Sequence, residues 1–195
     1  MPSADGNTIV FPSFASDLVA NDANSTEDVF VMNATNGVIA LVSASLSGTN
    51  TANGVSYQPR VSTDGRYVAF YSEATDLVAG DTNGYGDVFL RDTLTGTTRL
   101  ISVNSSGSGP GNRFSGDLEM TPDARFILFE SYSTNLVAND LNGFAYDIYL
   151  RDTNSTTVEL ISVNGAGTGS GNNDSYDATL SGDARYVAFE SEATN

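Results

Sequence analysis

The chain repeats itself at a fixed step, and that step limits its possible folds more than any other feature. Asp5 of "DGNTIVF", Asp64 of "DGRYVAF", Asp123 of "DARFILF" and Asp183 of "DARYVAF" stand 59, 59 and 60 residues apart. Asp22, Asp81 and Asp140, in a second recurring segment, keep the same step of 59. The extra residue of the last period lies between Gly143 and Asp147, because Asp22 to Asp28 and Asp81 to Asp87 span six positions and Asp140 to Asp147 spans seven. An insertion at that point marks a surface loop. A tandem period of this length describes modules that stack and share one continuous core.

Within each period apolar residues alternate with polar ones, the pattern of half-buried strands. In the second unit the pattern predicts strands at Tyr57 to Ser62, Arg66 to Ser72, Asp87 to Asp92 and Thr97 to Ser102. The first two are joined by Thr63 to Gly65, where Asp64 caps a tight turn and Gly65 can take positive φ. The last two are joined by Thr93 to Gly96, matched by Ala34 to Gly37 in the first unit. The middle two are joined by the long loop "SEATDLVAGDTNGYG", anchored by Leu77 and Val78, a pair that recurs as Leu18/Val19 and Leu136/Val137. A Gly/Ser/Asn-rich connector, Asn104 to Gly116, recurs in phase with the strands and is expected to cross one face between modules rather than to act as a free linker. No segment has a helical period. The chain is therefore expected to be all-β, built of β-propeller blades of four antiparallel strands, with about three repeats and a partial fourth. A β-sandwich needs no constant step, and a parallel β-helix repeats at much shorter intervals.

The stretches "STDGRYVAFYS", "SGDARYVAFES" and "DVFLRDTLTGTTRLIS" resemble the TolB-like, WD-type propeller repeats of bacterial envelope and secreted proteins. The resemblance covers essentially the whole chain. It implies a propeller fold and a place in the cell envelope or outside the cell. These residues depart from the TolB pattern in their longer Asp-x-Asn-Gly loop, and no counterpart of the TolB amino-terminal domain is expected among them. Divided by the repeat, residues 1–60 hold a first blade without its innermost strand plus the innermost strand of the second. Residues 61–119 hold the rest of the second blade and the start of the third, 120–179 the rest of the third and the start of the fourth, and 180–195 part of the fourth.

Three blades and a fraction do not make a standard ring, since propellers close with about four to eight. Three readings stay open: a piece of a longer array, a dimer with three blades from each chain, and head-to-tail assembly. In the last two, the strands from about Ser175 to Ser191 offer an unpaired edge, a template for another chain. Self-association through the open terminal blades is therefore an expected partnership. A protein or glycan ligand is another.

The chemistry is narrowed by what the chain carries. With 24 acidic and 8 basic residues its formal net charge is −16, which argues against nucleic acid and against anionic membrane surfaces. Apolar residues make up 39% of the chain, enough to fold despite the many Gly, Ser and Asn. No run approaches the roughly 18 apolar residues of a membrane span, so no membrane insertion is expected. The start "MPSADGNTIV" lacks the regions of a signal peptide, so an exported chain would take its targeting segment from outside these residues. There is no histidine and no cysteine, which removes disulfides, Ser-His-Asp and Cys-His arrangements and His- or Cys-ligated zinc. The expectation is a non-catalytic module; the other readings are a ligand- or glycan-binding propeller of a larger surface protein and a fragment of a propeller hydrolase.

The loop oxygens suggest a cation. Calcium takes six to eight oxygens from carboxylates, amides, backbone carbonyls and water. Asp81, Asn83 and Asp87 would supply some of them, as would Asp22, Asn24 and Asp28 in the first unit and Asp140, Asn142 and Asp147 in the third. The alternative is that Asp81 and Asn83 make Asx-turns to their own backbone and no metal is needed. Arg66, Arg125 and Arg185, with Arg91 and Arg151, are read as ion pairs bracing hairpins or blades rather than as anion binders. Glu73, Glu130, Glu190 and Glu192 are read as a solvated loop face rather than as a glycosidase pair. Tyr57, Phe114 and Tyr176, near the starts of the innermost strands, are packing residues or the rim of a carbohydrate site.

Overall fold

The structure is a computed structural model that describes all 195 residues. It contains thirteen strands and no helix: β1 (Thr8–Ser13), β2 (Asp28–Asn33), β3 (Ile39–Leu41), β4 (Ser56–Val61), β5 (Tyr67–Ser72), β6 (Asp87–Asp92), β7 (Thr97–Leu100), β8 (Ser115–Met120), β9 (Phe126–Ser131), β10 (Asp147–Asp152), β11 (Val158–Leu160), β12 (Ser175–Leu180) and β13 (Val187–Ser191). They pair into four antiparallel meanders: β1-β2-β3, β4-β5-β6-β7, β8-β9-β10-β11 and β12-β13. These are propeller blades, with β4, β8 and β12 innermost and lying side by side.

Alternation does the packing. In β5, Val68 and Phe70 face the first blade while Ala69 and Tyr71 face the third, so the strand is buried on both sides. Each of the first three blades also stacks a ring of its second strand on a directly opposed ring of its third: Phe11 on Phe30 at 5.9 Å, Phe70 on Phe89 at 5.9 Å and Phe129 on Tyr149 at 5.8 Å. Such cross-strand aromatic pairs contribute about 0.5–1.5 kcal/mol beyond the area they bury. The turn before β5 forms as its residues require: Ser62 Oγ donates to Asp64 Oδ1, Asp64 Oδ1 accepts from the Arg66 N–H at 3.1 Å, and Gly65 lies at φ 74°. The same turn recurs around Asp5, Asp123 and Asp183.

Three details depart from the pattern. The outer strand ends at Leu100 rather than Ser102, and beyond it the Ser102 hydroxyl donates to Asp87 Oδ1 at 2.6 Å. The innermost strands carry a bulge at which Gln58, Asp117 and Asp177 take positive φ of 53°, 47° and 52°, and the Gln58 amide donates to Asp117 in the next blade at 3.1 Å. The first blade is not wholly without an innermost strand, for Met1 to Ser3 pair with β1 as the end of one.

The long loops and the connectors lie together on one face and are tied across blades. Leu46 N–H donates to Asp76 O at 2.7 Å, Ser105 N–H to Asn135 O at 2.8 Å and Gly165 N–H to Asn195 O at 3.2 Å, so each connector is held by the loop of the following blade. Leu77 and Leu136 are buried beneath their loops as expected, and Leu18 is half-buried.

Candidate functional site

Every Asp-x-Asn loop is built on the same frame. The second aspartate opens the third strand, is fully buried, and accepts a serine hydroxyl from the outer edge: Asp28 from Ser43, Asp87 from Ser102 and Asp147 from Ser162, each at 2.6 Å. The same serine oxygen accepts the following backbone N–H, from Val29, Val88 or Ile148. These serines recur in phase in the sequence, a signal that the reading of the acidic loop alone overlooks. The asparagine is a clamp. Its side-chain amide donates to a connector carbonyl, Asn24 to Ala52 at 2.8 Å, Asn83 to Gly111 at 2.9 Å and Asn142 to Gly171 at 2.8 Å. In the first two loops its Oδ1 also accepts a backbone N–H two residues on, from Thr26 and Tyr85, which is the Asx-turn.

The first aspartate is where the three loops differ. Asp140 Oδ2 accepts the Tyr149 hydroxyl at 2.9 Å, and its Oδ1 lies 3.4 Å from Ser170 Oγ. In the second unit the corresponding residues are Phe89 and Pro110, neither of which can donate. Asp81 is only 6% exposed, and neither of its carboxylate oxygens has a hydrogen-bond partner; the Asn83 N–H points towards it without reaching hydrogen-bonding geometry. In the first unit the counterparts are Phe30 and Thr51, and Asp22 is half-buried with one unpaired oxygen. Asp28 and Asp147 each keep an unpaired Oδ2, whereas Asp87 Oδ2 accepts from Asn83 at 2.7 Å. Burial pushes the Asp81, Asp28 and Asp140 carboxyls up, and it raises Asp87 to about 8 and Asp147 to about 7 against the pull of their serine hydrogen bonds. Nowhere do three Asp, Glu, His or Cys side chains converge as metal ligands, so a cation in these loops would rest on a carboxylate pair with amide and backbone oxygens.

A second constellation on the same face breaks the repeat. Tyr85, Arg113, Phe114, Tyr132 and Phe144 line a recess of about 340 Å³ between the second and third blades. The Arg113 guanidinium lies 5.3 Å from the Tyr85 ring centroid and 4.5 Å from that of Phe144, and donates to the Tyr85 hydroxyl at 2.6 Å. Tyr146 stacks against Tyr132 at 3.6 Å between centroids and meets the edge of Phe114 at 6.3 Å. Where this junction has Arg113, Phe114, Tyr132 and Tyr146, the preceding one has Gly54, Val55, Glu73 and Gly86. Arg113 forms no salt bridge, and it is the only cation that the loops and connectors carry. Of the expected rim aromatics, Phe114 lines this recess, Tyr57 packs on Tyr71 at 4.6 Å, and Tyr176 stands apart beside Glu192.

The other candidates fall into structural roles. Arg66 grips Asp92 through two bonds of 2.9 and 2.6 Å, and Arg125 holds Asp152 at 3.0 Å, each tying the start of a blade's second strand to the end of its third. The Arg66 guanidinium beside Asp92 holds that carboxyl well below the usual range. Arg91 and Arg151 bond to Thr98 and Thr156 across the outer hairpin. Glu130 is buried and accepts the Ala178 N–H of the next blade at 3.2 Å, while Glu73, Glu190 and Glu192 are exposed or half-exposed and do not pair with it.

No protein-family model and no curated protein sequence matches the chain. Solved propeller structures do. TolB from Acinetobacter baumannii superposes over 96% of the chain with a TM-score of 0.56 at 18% identity, the chain spanning 36% of TolB. The tricorn protease superposes over 96% with a TM-score of 0.55 at 10% identity, the chain spanning 14% of it. A prolyl endopeptidase superposes over 84% with a TM-score of 0.51 at 13% identity, the chain spanning 22% of it. The chain thus spans about a third or less of these structures, and what it shares with them is architecture: its fold is that of a TolB-like β-propeller.

Proposed function

We propose that this chain is a non-catalytic propeller module of the cell envelope or the extracellular space, and that it works by extending its array of blades through contact with a second copy. The observation that carries this is Phe189. Its counterparts Phe70 and Phe129 are fully buried and each stacks on a ring of the neighbouring strand, whereas Phe189 is 37% exposed and has no ring partner. The outward edge of β13 is likewise unpaired. An edge of this kind beside an uncovered apolar face favours strand addition. The first blade of a second copy offers an edge to meet it: β1 and β13 are both second strands, and the inner side of β1 is covered only by Met1 to Ser3, so the two partial blades would join edge to edge. The envelope location rests on the resemblance of the repeats. The absence of histidine and cysteine from the sequence supports a role without nucleophilic catalysis.

Sedimentation velocity of the full chain over a hundredfold concentration range tests the reading. The expected result is reversible association, abolished by Phe189→Asp and by Val187→Pro, with each variant still folded by circular dichroism. A wild-type monomer at every concentration would overturn it.

The aromatic recess favours a second reading, recognition of a ligand that combines a flat apolar face with a negative charge, such as an acidic sugar. Recesses of about 300–1,000 Å³ with aromatic walls and few polar groups are the usual form of small-ligand sites. Titration with uronic-acid oligosaccharides and their neutral counterparts checks it. Binding of the acidic series alone, lost in Arg113→Gln, supports the reading, and equal indifference to both series refutes it.

A further inference from the structure

We propose that the loop between β5 and β6 binds a hard divalent cation of the calcium kind through Asp81 and Asp87, and that in the third blade the Tyr149 and Ser170 hydroxyls stand in for that cation by hydrogen bonding. The proposal is independent of the self-association reading.

The argument is a comparison of three loops made from one frame. A buried carboxylate must be neutralised or hydrogen-bonded, because removing it from water without a partner costs several kcal/mol. The third blade meets this need at Asp140 with protein groups, Tyr149 on one oxygen and Ser170 near the other, and leaves a single carboxylate oxygen of the loop, Asp147 Oδ2, unpaired. The second blade has lost both donors, to Phe89 and Pro110, yet it keeps the aspartate and buries it more deeply. Asp81 has both oxygens unpaired and closed from solvent, and Asp87, fully buried, is the second carboxylate of the same loop. In the first blade Asp22 is only half-buried: its Oδ1 is enclosed and unpaired, but its Oδ2 is not, so water can reach one side of the carboxylate. The second loop is therefore the one in which two carboxylates are enclosed and the first has no partner at all.

Two buried carboxylates, both charged once a cation displaces their protons, match a divalent ion. All the available donors are oxygens, and the loop has no nitrogen or sulfur ligand to favour zinc or copper. Calcium accepts carboxylates in irregular loops with backbone carbonyls and water completing the shell, whereas magnesium demands near-octahedral geometry and holds its waters. The clamp from Asn83 to Gly111 fixes the loop against the connector, so the carboxylate pair is positioned in advance.

The test is calorimetric titration of the full chain with CaCl2 and with MgCl2, beside thermal unfolding in calcium and in chelator. A saturable calcium site that is lost in Asp81→Asn and kept in Asp140→Asn is expected, with weaker binding of magnesium. Phe89→Tyr, which restores a hydroxyl beside Asp81, is expected to weaken calcium binding at least tenfold. Absence of saturable binding by the wild type would overturn the proposal, as would tighter binding of magnesium, wild-type affinity in Asp81→Asn, or loss of the site in Asp140→Asn. Should Asp81→Asn fail to fold, Phe89→Tyr decides: unchanged affinity in that variant refutes the replacement of hydroxyl by cation.

Discussion

Tyr149→Phe isolates the role of one buried hydroxyl. The ring remains, and with it the stacking on Phe129 at 5.8 Å, so no large cavity opens in a core where Tyr149 is fully buried. What disappears is the hydrogen bond of 2.9 Å to Asp140 Oδ2, together with a longer contact of 3.4 Å to the Ser133 carbonyl. A hydrogen bond to a charged group contributes about 1.5–3 kcal/mol. In a chain of this size about 1 kcal/mol moves the melting temperature by roughly 2–4 °C. The expected loss in chelator is therefore about 2 kcal/mol, or roughly 4–8 °C. Differential scanning calorimetry gives the shift, and a double-mutant cycle with Asp140→Ala assigns it, because the Tyr149 effect should largely vanish once Asp140 is gone. A shift below about 0.5 kcal/mol, or one of equal size in the Asp140→Ala background, would refute the pairing.

In chelator, the melting temperature should fall as pH rises from about 5 to about 8.5. Asp87 and Asp147 carry folded-state pKa values of about 8 and about 7 against an ordinary 3.8, so the folded state holds protons that the unfolded chain has released, and that stabilisation is lost as pH climbs through those values. Calcium should flatten the fall, and a profile that rises over this range would contradict the burial of these carboxyls. Asp64, Asp92 and Asp123, whose pKa values are lowered, act in the opposite sense and only on strong acidification. Gly65→Ala and Gly6→Ala should differ although both glycines have positive φ, 74° and 70°. A Cβ at Gly65 overlaps the Thr8 side chain, while one at Gly6 meets nothing within 4 Å. Gly6→Ala should cost about 1–2 kcal/mol from backbone conformation alone, and Gly65→Ala a further ~1–3 kcal/mol from overpacking. Urea unfolding distinguishes them, and equal losses would show that Thr8 yields freely.

Much of this architecture can be read from the sequence because it depends on neighbours. The alternation that sets β5 and β6, and the Asp-Gly turn between β4 and β5, are settled within a few residues. The Asp-x-Asn loops are legible as loops for the same reason. Their chemistry is not, since the groups that distinguish Asp140 from Asp81 lie 9 and 30 positions along the chain and belong to a strand and a connector. Asn83 reads as an oxygen donor until the fold shows its amide bonded to Gly111, 28 residues away. The positive φ of Gln58, Asp117 and Asp177 leaves no glycine to announce it. The aromatic recess is assembled from the loops of two blades and the connector between them, and its trace in the sequence is a departure from the repeat at Arg113, Phe114 and Tyr132.

The hydrogen bonds from Leu46 to Asp76, Ser105 to Asn135 and Gly165 to Asn195 give the array a direction. Each connector is clamped by the Asp-x-Asn loop of its own blade, as Asn83 clamps Gly111, and is bonded again by the loop of the next, so a blade is finished in part by residues that follow it in the chain. Damage to one blade therefore loosens its predecessor as well, and melting or proteolysis of a blade should travel backwards towards the amino terminus. A protein built this way grows by whole steps of the repeat, because an added or deleted period hands the same unfinished connector to an equivalent loop.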